Sequence, residues 1–293
     1  MVATRTHAQS VMATSDKKMA AGESPPPSDE KMRKLLKPNP SADEVLSALH
    51  SSHGRTFSVV RQLDSYDDVN FLLVDPSGTK YLAKVHNGVE SLDYHARHAE
   101  RASVIDLQNA VFGHLGGPSC PDIATSAPVP AADGQPVSVH PLPVISAAHS
   151  PCRLAVRVLT WVEGVTLSDS PGTQSPEDLA DAGKYLGQLR RRMDELAERR
   201  PETVQAASRY HAWDGQNTLD LCGFVDCIDD EGRRAMVLEV LDAFRAAFGE
   251  KGKGEVAAAL PKGILQGDFN DANIIMRDGK VAGVIDFGDC VYR

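Results

Sequence analysis

"ILQGDFNDANIIMRDGKVAGVIDFGDCVYR", Ile264 to Arg293, closes the sequence. It holds two short apolar runs, "NIIM" and "KVAGVI", joined at "RDGK". Asp-Gly between apolar runs signals a hairpin, because both residues accept the positive φ of a tight primed turn. Whether the loop is Asp278-Gly279 or Gly279-Lys280, Asn273 then faces Val284 or Asp286, so it lies within two residues of Asp286. Two residues of strand amount to roughly 7 Å, within the span of one hydrated divalent ion. The preceding loop "GDFND" brings Asp268 to the same end of the hairpin.

Two oxygen ligands beside a spare carboxylate suit Mg²⁺, which takes few protein ligands and shares its other positions with water and phosphate. The spare Asp268 is placed to accept a proton from an attacking hydroxyl. That set belongs to phosphoryl transfer, where positioning and charge neutralisation supply most of the catalysis. A surface hairpin with solvated acids is the bland alternative. Gly-Asp-x4-Asn, a strand pair and Ile-Asp-Phe-Gly-Asp, taken jointly, argue against it.

The 293 residues allow two lobes, and the composition is that of an ordinary globular chain: 42% hydrophobic and 24% charged. A net charge of −9 argues against a nucleic-acid surface. The basic run Arg190, Arg191, Arg192 falls among acids on an expected helix and reads as a solvated face. Five scattered cysteines form no CxxC pair, which favours a reducing compartment such as the cytoplasm over a disulfide framework. Cys222 and Cys227 near His211 make a poor metal site. No apolar run reaches the length needed to cross a bilayer.

Residues 1–40 are polar and Pro/Ser-containing and read as a disordered tail, with a weak likeness to a transit peptide at the start. Ser41 and Glu44 then form a Ser-x-x-Glu capping box that opens a helix. "RTFSVVRQL", "VNFLLVD" and "TKYLAKVH" read as an antiparallel meander, followed by a helical pattern across residues 91–115. "CRLAVRVLTWVEG" is a further strand ending at Gly164. Beyond it, Ser175 and Pro176 open a long helix whose apolar face runs through Leu179, Ala182, Leu186, Leu189, Met193 and Leu196. "GEKGKGEV" fails as a P-loop, since no Gly-Lys is followed by Ser or Thr. The expected fold is α+β: an N-terminal antiparallel β lobe over residues 41–163 and a helical lobe over 164–293.

"GDFNDANIIM…GVIDFGD" resembles the Brenner-type motif of the aminoglycoside phosphotransferase and choline kinase superfamily, whose members share a two-lobed protein-kinase-like fold. The resemblance implies Asp268 as catalytic base and Asn273 and Asp286 as Mg²⁺ ligands. The family usually has His where this chain has Gln266. "YLAKVH" resembles the lysine-bearing strand, so Lys84 is expected at the nucleotide phosphates. Its implied acidic partner is Asp106, with Glu100 as the competing choice. "SYDDVNF" stands in place of a Gly-rich phosphate loop without a glycine, and Ser65 and Asn70 are its candidate hydrogen-bonding residues. "LTWVEG" resembles the hinge, where backbone groups of Thr160 and Val162 would meet the base.

"SYDDVNF", "YLAKVHN", "VRVLTWVEG", "AWDGQN" and the closing motif together resemble the hydroxylysine kinase family, over about residues 55–293. That resemblance implies GTP, or ATP by the wider superfamily, as phosphate donor and a small amino alcohol as acceptor, with no nucleic-acid or membrane partner. Homoserine, choline and ketosamine kinases of the superfamily stay open, as does a non-catalytic nucleotide-binding module. In the superfamily, further helices follow the metal-binding strand, whereas Arg293 comes four residues after Asp289. The expectation is a C-terminally truncated helical lobe with an exposed apolar patch.

Overall fold

The three β-like runs become adjacent antiparallel strands in the computed structural model, which describes residues 28–96, 102–117, 120–170, 175–250 and 254–293. They are β1 (Ser58–Leu63), β2 (Val69–Val74) and β3 (Lys80–Val85), paired in sequence order. The Asp75 carboxylate accepts from the N–H groups of Ser77 and Thr79 and so fixes the β2–β3 turn. The sheet continues with β6 (Cys152–Thr160) against β3, and β4 (Pro128–Val129) and β5 (Ser138–Leu142) both pair with β6.

Helix α1 (Ser28–Leu35) lies inside the stretch expected to be a disordered tail. Tertiary anchoring explains the difference: Leu36 just beyond it is buried in the β-lobe core and Met32 packs against that core. Helix α2 (Ala42–His53) opens on the Ser41/Glu44 capping box and buries Val45 and Leu49 among Phe71, Leu73, Val85 and Leu154. Each such side chain contributes roughly 1.5–3 kcal/mol.

The single helical pattern of residues 91–115 is two helices, α3 (Gly88–Ala96) and α4 (Val104–Leu115); Glu100 lies outside the described residues. The apolar face of α4 faces the second lobe. Leu107, Val111, Phe112 and Leu115 share a core with Tyr185, Leu189, Met193, Leu196, Val284 and Phe287. Helix α4 therefore belongs by packing to both the sheet and the helical lobe.

In the second lobe, α5 (Pro176–Arg199) begins at its Ser175 cap and buries Ala182, Tyr185, Leu189, Met193 and Leu196. Leu179 and Leu186, read as part of that face, remain exposed, as do Trp213, Phe224, Met236 and Val240 elsewhere in the lobe. Arg190 and Arg192 pair with Asp194, Glu195 and Asp122, as a solvated helix face should. Among the described residues, no helix is long and apolar enough to cross a membrane.

Candidate active site

The closing hairpin consists of β8 (Ile274–Arg277) and β9 (Lys280–Val284), with β7 (Val165–Thr166) on the outer side of β8. Asp278 and Gly279 form the turn with φ of 53° and 72°, so the Asp-Gly loop is the one adopted. Pairing starts as that loop dictates, Val281 opposite Met276, but shifts by one at a bulge before Gly283. Val284 thus faces Ile274, and the N–H of Ile285 donates to the carbonyl of Asn273 at 2.9 Å. Asn273 sits one residue from Asp286, between the two registers the sequence allowed. Asp286 itself holds a φ of 54°, a backbone setting uncommon for a residue with a side chain.

Asn273 donates its amide N–H to the Asp268 carboxylate at 2.7 Å and to the Asp268 carbonyl at 2.9 Å. Neither bond uses its amide oxygen. Asn270 donates to the other Asp268 oxygen at 2.7 Å. Burial and then the nearby Asp289 raise the Asp268 pKa above the ordinary carboxylate value, against the lowering by Asn273 and Asn270. A raised pKa in hydrogen-bonded surroundings suits a proton acceptor.

Gln266, at the position where the resemblance implies His, is buried and spans the site. Its Oε1 accepts from the N–H of Asp268 at 2.7 Å, while its Nε2 donates to the carbonyls of Asp286 and Ile285. One side chain thereby ties the Asp268 loop to the Asp286 strand. Gly267, at φ 89°, lets the loop touch its neighbour, since a Cβ there would lie 2.1 Å from the Asp289 carbonyl oxygen.

Lys84 reaches across from the β lobe. Its Nζ is 3.8 Å from Asp286 Oδ2, so the two lobes meet at this pair. Its closest carboxylate is Asp68 at 2.8 Å, in the β1–β2 turn. This corrects the expectation for Asp106, whose carboxylate instead accepts from Ser103 in the capping box of α4. The register explains the choice: Asn70 faces Lys84, which brings the end of the turn to the lysine. Burial opposes the charge on Lys84, but Asp286 and Asp68 outweigh it and raise its pKa. Burial likewise opposes the Asp68 charge, yet the Lys84 ammonium, helped by the Asn87 N–H, holds its pKa well below the usual range.

Of the remaining expected residues, Asn70 has a buried Oδ1 without a partner, beside Lys84 on the neighbouring strand. The Ser65 carbonyl already accepts from Lys37. The N–H of Thr160 donates to the Ala127 carbonyl at 2.8 Å, so that N–H is engaged within the β lobe. Trp161 and Val162 are half-buried in the connector between the lobes. Sequence reasoning also missed Asp289, Arg209 and the fixed role of His211. His211 is 3.2 Å from Asp289, and Arg209 donates to the Gly288 carbonyl. Burial opposes the charge of Asp289, but the His211 hydrogen bond and then the His211 and Arg209 charges depress its pKa. Cys222 and Cys227 are exposed, and the engagement of His211 with Asp289 leaves the weak metal reading there without support.

The oxygen-only set of Asn273 and Asp286, the latter still half-open to solvent, fits a hard cation such as Mg²⁺.

The sequence model of the phosphotransferase enzyme family matches residues 59–293. The chain belongs to that family. This phosphotransferase is 29% identical over 269 residues to a hydroxylysine kinase of Danio rerio, covering 88% of this chain and 68% of that protein. It is 25% identical to a hydroxylysine kinase of Xenopus laevis, covering 87% and 67%. Among solved structures, it resembles an amicoumacin kinase in complex with AMP-PNP and Ca²⁺, with a TM-score of 0.53 at 16% identity, over 97% of this chain and 67% of the other. A thermostable aminoglycoside phosphotransferase matches with a TM-score of 0.52 at 14% identity, over 86% and 72%. These two likenesses establish the fold: an antiparallel sheet lobe joined to a helical lobe, as in kinases. The phosphotransferase is an enzyme for small molecules, with an alcohol group as acceptor.

Proposed function

We propose that this chain transfers the γ-phosphate of a nucleoside triphosphate to the side-chain hydroxyl of 5-hydroxy-L-lysine. The observation that carries the reading is the meeting of Lys84 with Asp286 across the lobes, with Asp268 and Asn273 hydrogen-bonded beside them. In this reading Asp268 accepts the proton of the attacking hydroxyl, and its raised pKa favours that role. Lys84, held protonated by its two carboxylates, binds phosphate oxygens. Asn273 and Asp286 would hold Mg²⁺. When bound, the ion neutralises charge on the transferring phosphate.

The two hydroxylysine kinases and the local chemistry support this choice of acceptor. Asp289, kept ionised by His211 and Arg209, stands near Asp268 and favours an acceptor that carries an amine. GTP as donor rests on the resemblance alone.

The test is a panel of 5-hydroxylysine, homoserine, choline and a ketosamine with ATP and with GTP, each with Mg²⁺. The expected result is 5-hydroxylysine as the preferred acceptor, and phosphate transfer cut at least a thousandfold by Asp268→Ala with nucleotide affinity retained. A thousandfold loss corresponds to about 4 kcal/mol of transition-state stabilisation. Transfer to choline in preference to hydroxylysine would replace the substrate. Equal turnover by Asp268→Ala would remove the assigned base.

A further inference from the structure

The β1–β2 turn occupies the place of a Gly-rich nucleotide loop, yet Asp64 to Asp68 include no glycine. Glycine normally supplies the backbone freedom such a loop needs, and without it the turn must be shaped by contacts. Two of those contacts come from residues that precede residue 59, where the match to the family model begins.

Lys37 Nζ donates to two successive turn carbonyls, Ser65 O at 3.1 Å and Tyr66 O at 2.5 Å. Arg33, in α1, pairs with Asp67 at 3.0 Å and with Glu90 at 2.6 Å. Asn87 closes the arrangement by donating to the carbonyls of Arg33 and Asp67 and by giving its N–H to Asp68. Asp68 in turn holds Lys84.

The segment that presents these two cations is itself fixed. Lys37 O accepts from the Ile145 N–H, Leu35 O from Ser146 and Leu36 O from Gly88, each at 2.9–3.0 Å. Leu36 is buried, and a Cβ at Gly88 would lie 2.7 Å from its side chain. Lys37 is therefore anchored through its backbone to the rest of the lobe while its ammonium draws two carbonyls of the turn to one point. Charge-assisted bonds of this kind are about twice as strong as neutral ones.

We infer that Lys37 and Arg33 are positioning residues for the nucleotide, bracing the glycine-free turn from a segment that precedes the shared family domain. The inference rests on the reading of this lobe as the nucleotide site. Its class of ligand is the triphosphate of the donor, and its action is on donor affinity rather than on acceptor choice.

The experiment compares the parent chain with Lys37→Met, Arg33→Met and Lys37→Arg. Amide hydrogen exchange without ligand is read over residues 64–68 and, as a control, over residues 152–160. Initial rates give KM for nucleotide, KM for acceptor and kcat. Lys37→Met is expected to speed exchange in the turn and raise nucleotide KM by about tenfold, the equivalent of one charge-assisted hydrogen bond. Exchange in residues 152–160, acceptor KM and kcat at saturating nucleotide should change by no more than about twofold. Lys37→Arg should restore most of the nucleotide affinity, and Arg33→Met should act in the same direction as Lys37→Met.

Unchanged exchange in the turn would overturn the inference, as would equal acceleration in residues 152–160, which marks general loosening. Faster turn exchange with unmoved nucleotide KM would overturn it too. A parent chain that binds no nucleotide would overturn the proposed function and this inference together, whereas the other failures leave the proposed function standing.

Discussion

Gln266 stands where the resembled motif usually carries His. An amide offers one acceptor and two donors in a fixed plane, and here all three directions are used, toward Asp268, Asp286 and Ile285. A neutral imidazole has one donor and one acceptor, so Gln266→His keeps at most one link on each side. Gln266→Ala leaves the half-buried N–H of Asp268 and the Asp286 carbonyl without this partner, at about 1 kcal/mol each. The expected outcome is a fall in kcat of about tenfold to a hundredfold for Gln266→Ala and a smaller fall for Gln266→His, with nucleotide Kd little changed. Steady-state kinetics beside calorimetric nucleotide binding checks both. A larger loss for Gln266→His than for Gln266→Ala would contradict this account.

The closing hairpin is the element on which the candidate site depends. Its turn places Asp278 and Gly279 in left-handed backbone, and nothing lies within 4 Å of a Cβ built at Gly279. Gly279→Val therefore meets no clash but does meet the backbone penalty of about 1–2 kcal/mol. The expected result is a lower urea midpoint and weaker Mg²⁺ binding, read as a raised Mg²⁺ concentration for half-maximal rate. This element was legible in the sequence because its signals are local: an Asp-Gly pair with an apolar run on either side. The bulge was not, since it answers to a distant contact. Gly283 lies against the Ala124 carbonyl and Val162, with a Cβ there only 2.8–2.9 Å from both. The Lys84 partner was misread for a similar reason. A strand-to-helix rule points to Asp106, while the actual register carries Asp68 to the lysine from the turn. Helix α1 escaped notice because a short charged segment is ordered by what it docks on, and Leu36 finds its place only in the folded core.

Across the whole molecule, the two lobes are joined by side chains that start in the sheet and end near the hairpin. Arg157, fully buried on β6, donates to His86, Gln108 and Asn109, and its guanidinium stands 5.4 Å over the Phe112 ring. Phe112 meets Phe287 edge-on at 5.5 Å, beside Asp286. Burial lowers the Arg157 pKa to about 10, which leaves it charged at neutral pH. Burial and then that charge hold the His86 pKa well below the ordinary value of 6.5, so His86 is the neutral acceptor. In the unfolded chain His86 binds a proton near pH 6.5, and in the folded chain it does not. Its contribution to stability is therefore complete above about pH 6.5 and is lost as pH falls toward the depressed value, at up to about 1.4 kcal/mol per pH unit. His53 and His140, lowered chiefly by burial, add losses of the same sign. Urea midpoints at pH 7.5 and pH 5 should fall more steeply for the parent than for His86→Gln, and parallel curves would refute the account. A last consequence follows from where the indoles stand. The chain has two tryptophans, and Trp161 lies half-buried at the connector while Trp213 is 76% exposed on the helical lobe. Their emission maxima should differ, the exposed ring to the red. Optical titrations with donor and acceptor can then be followed separately in a single unlabelled sample.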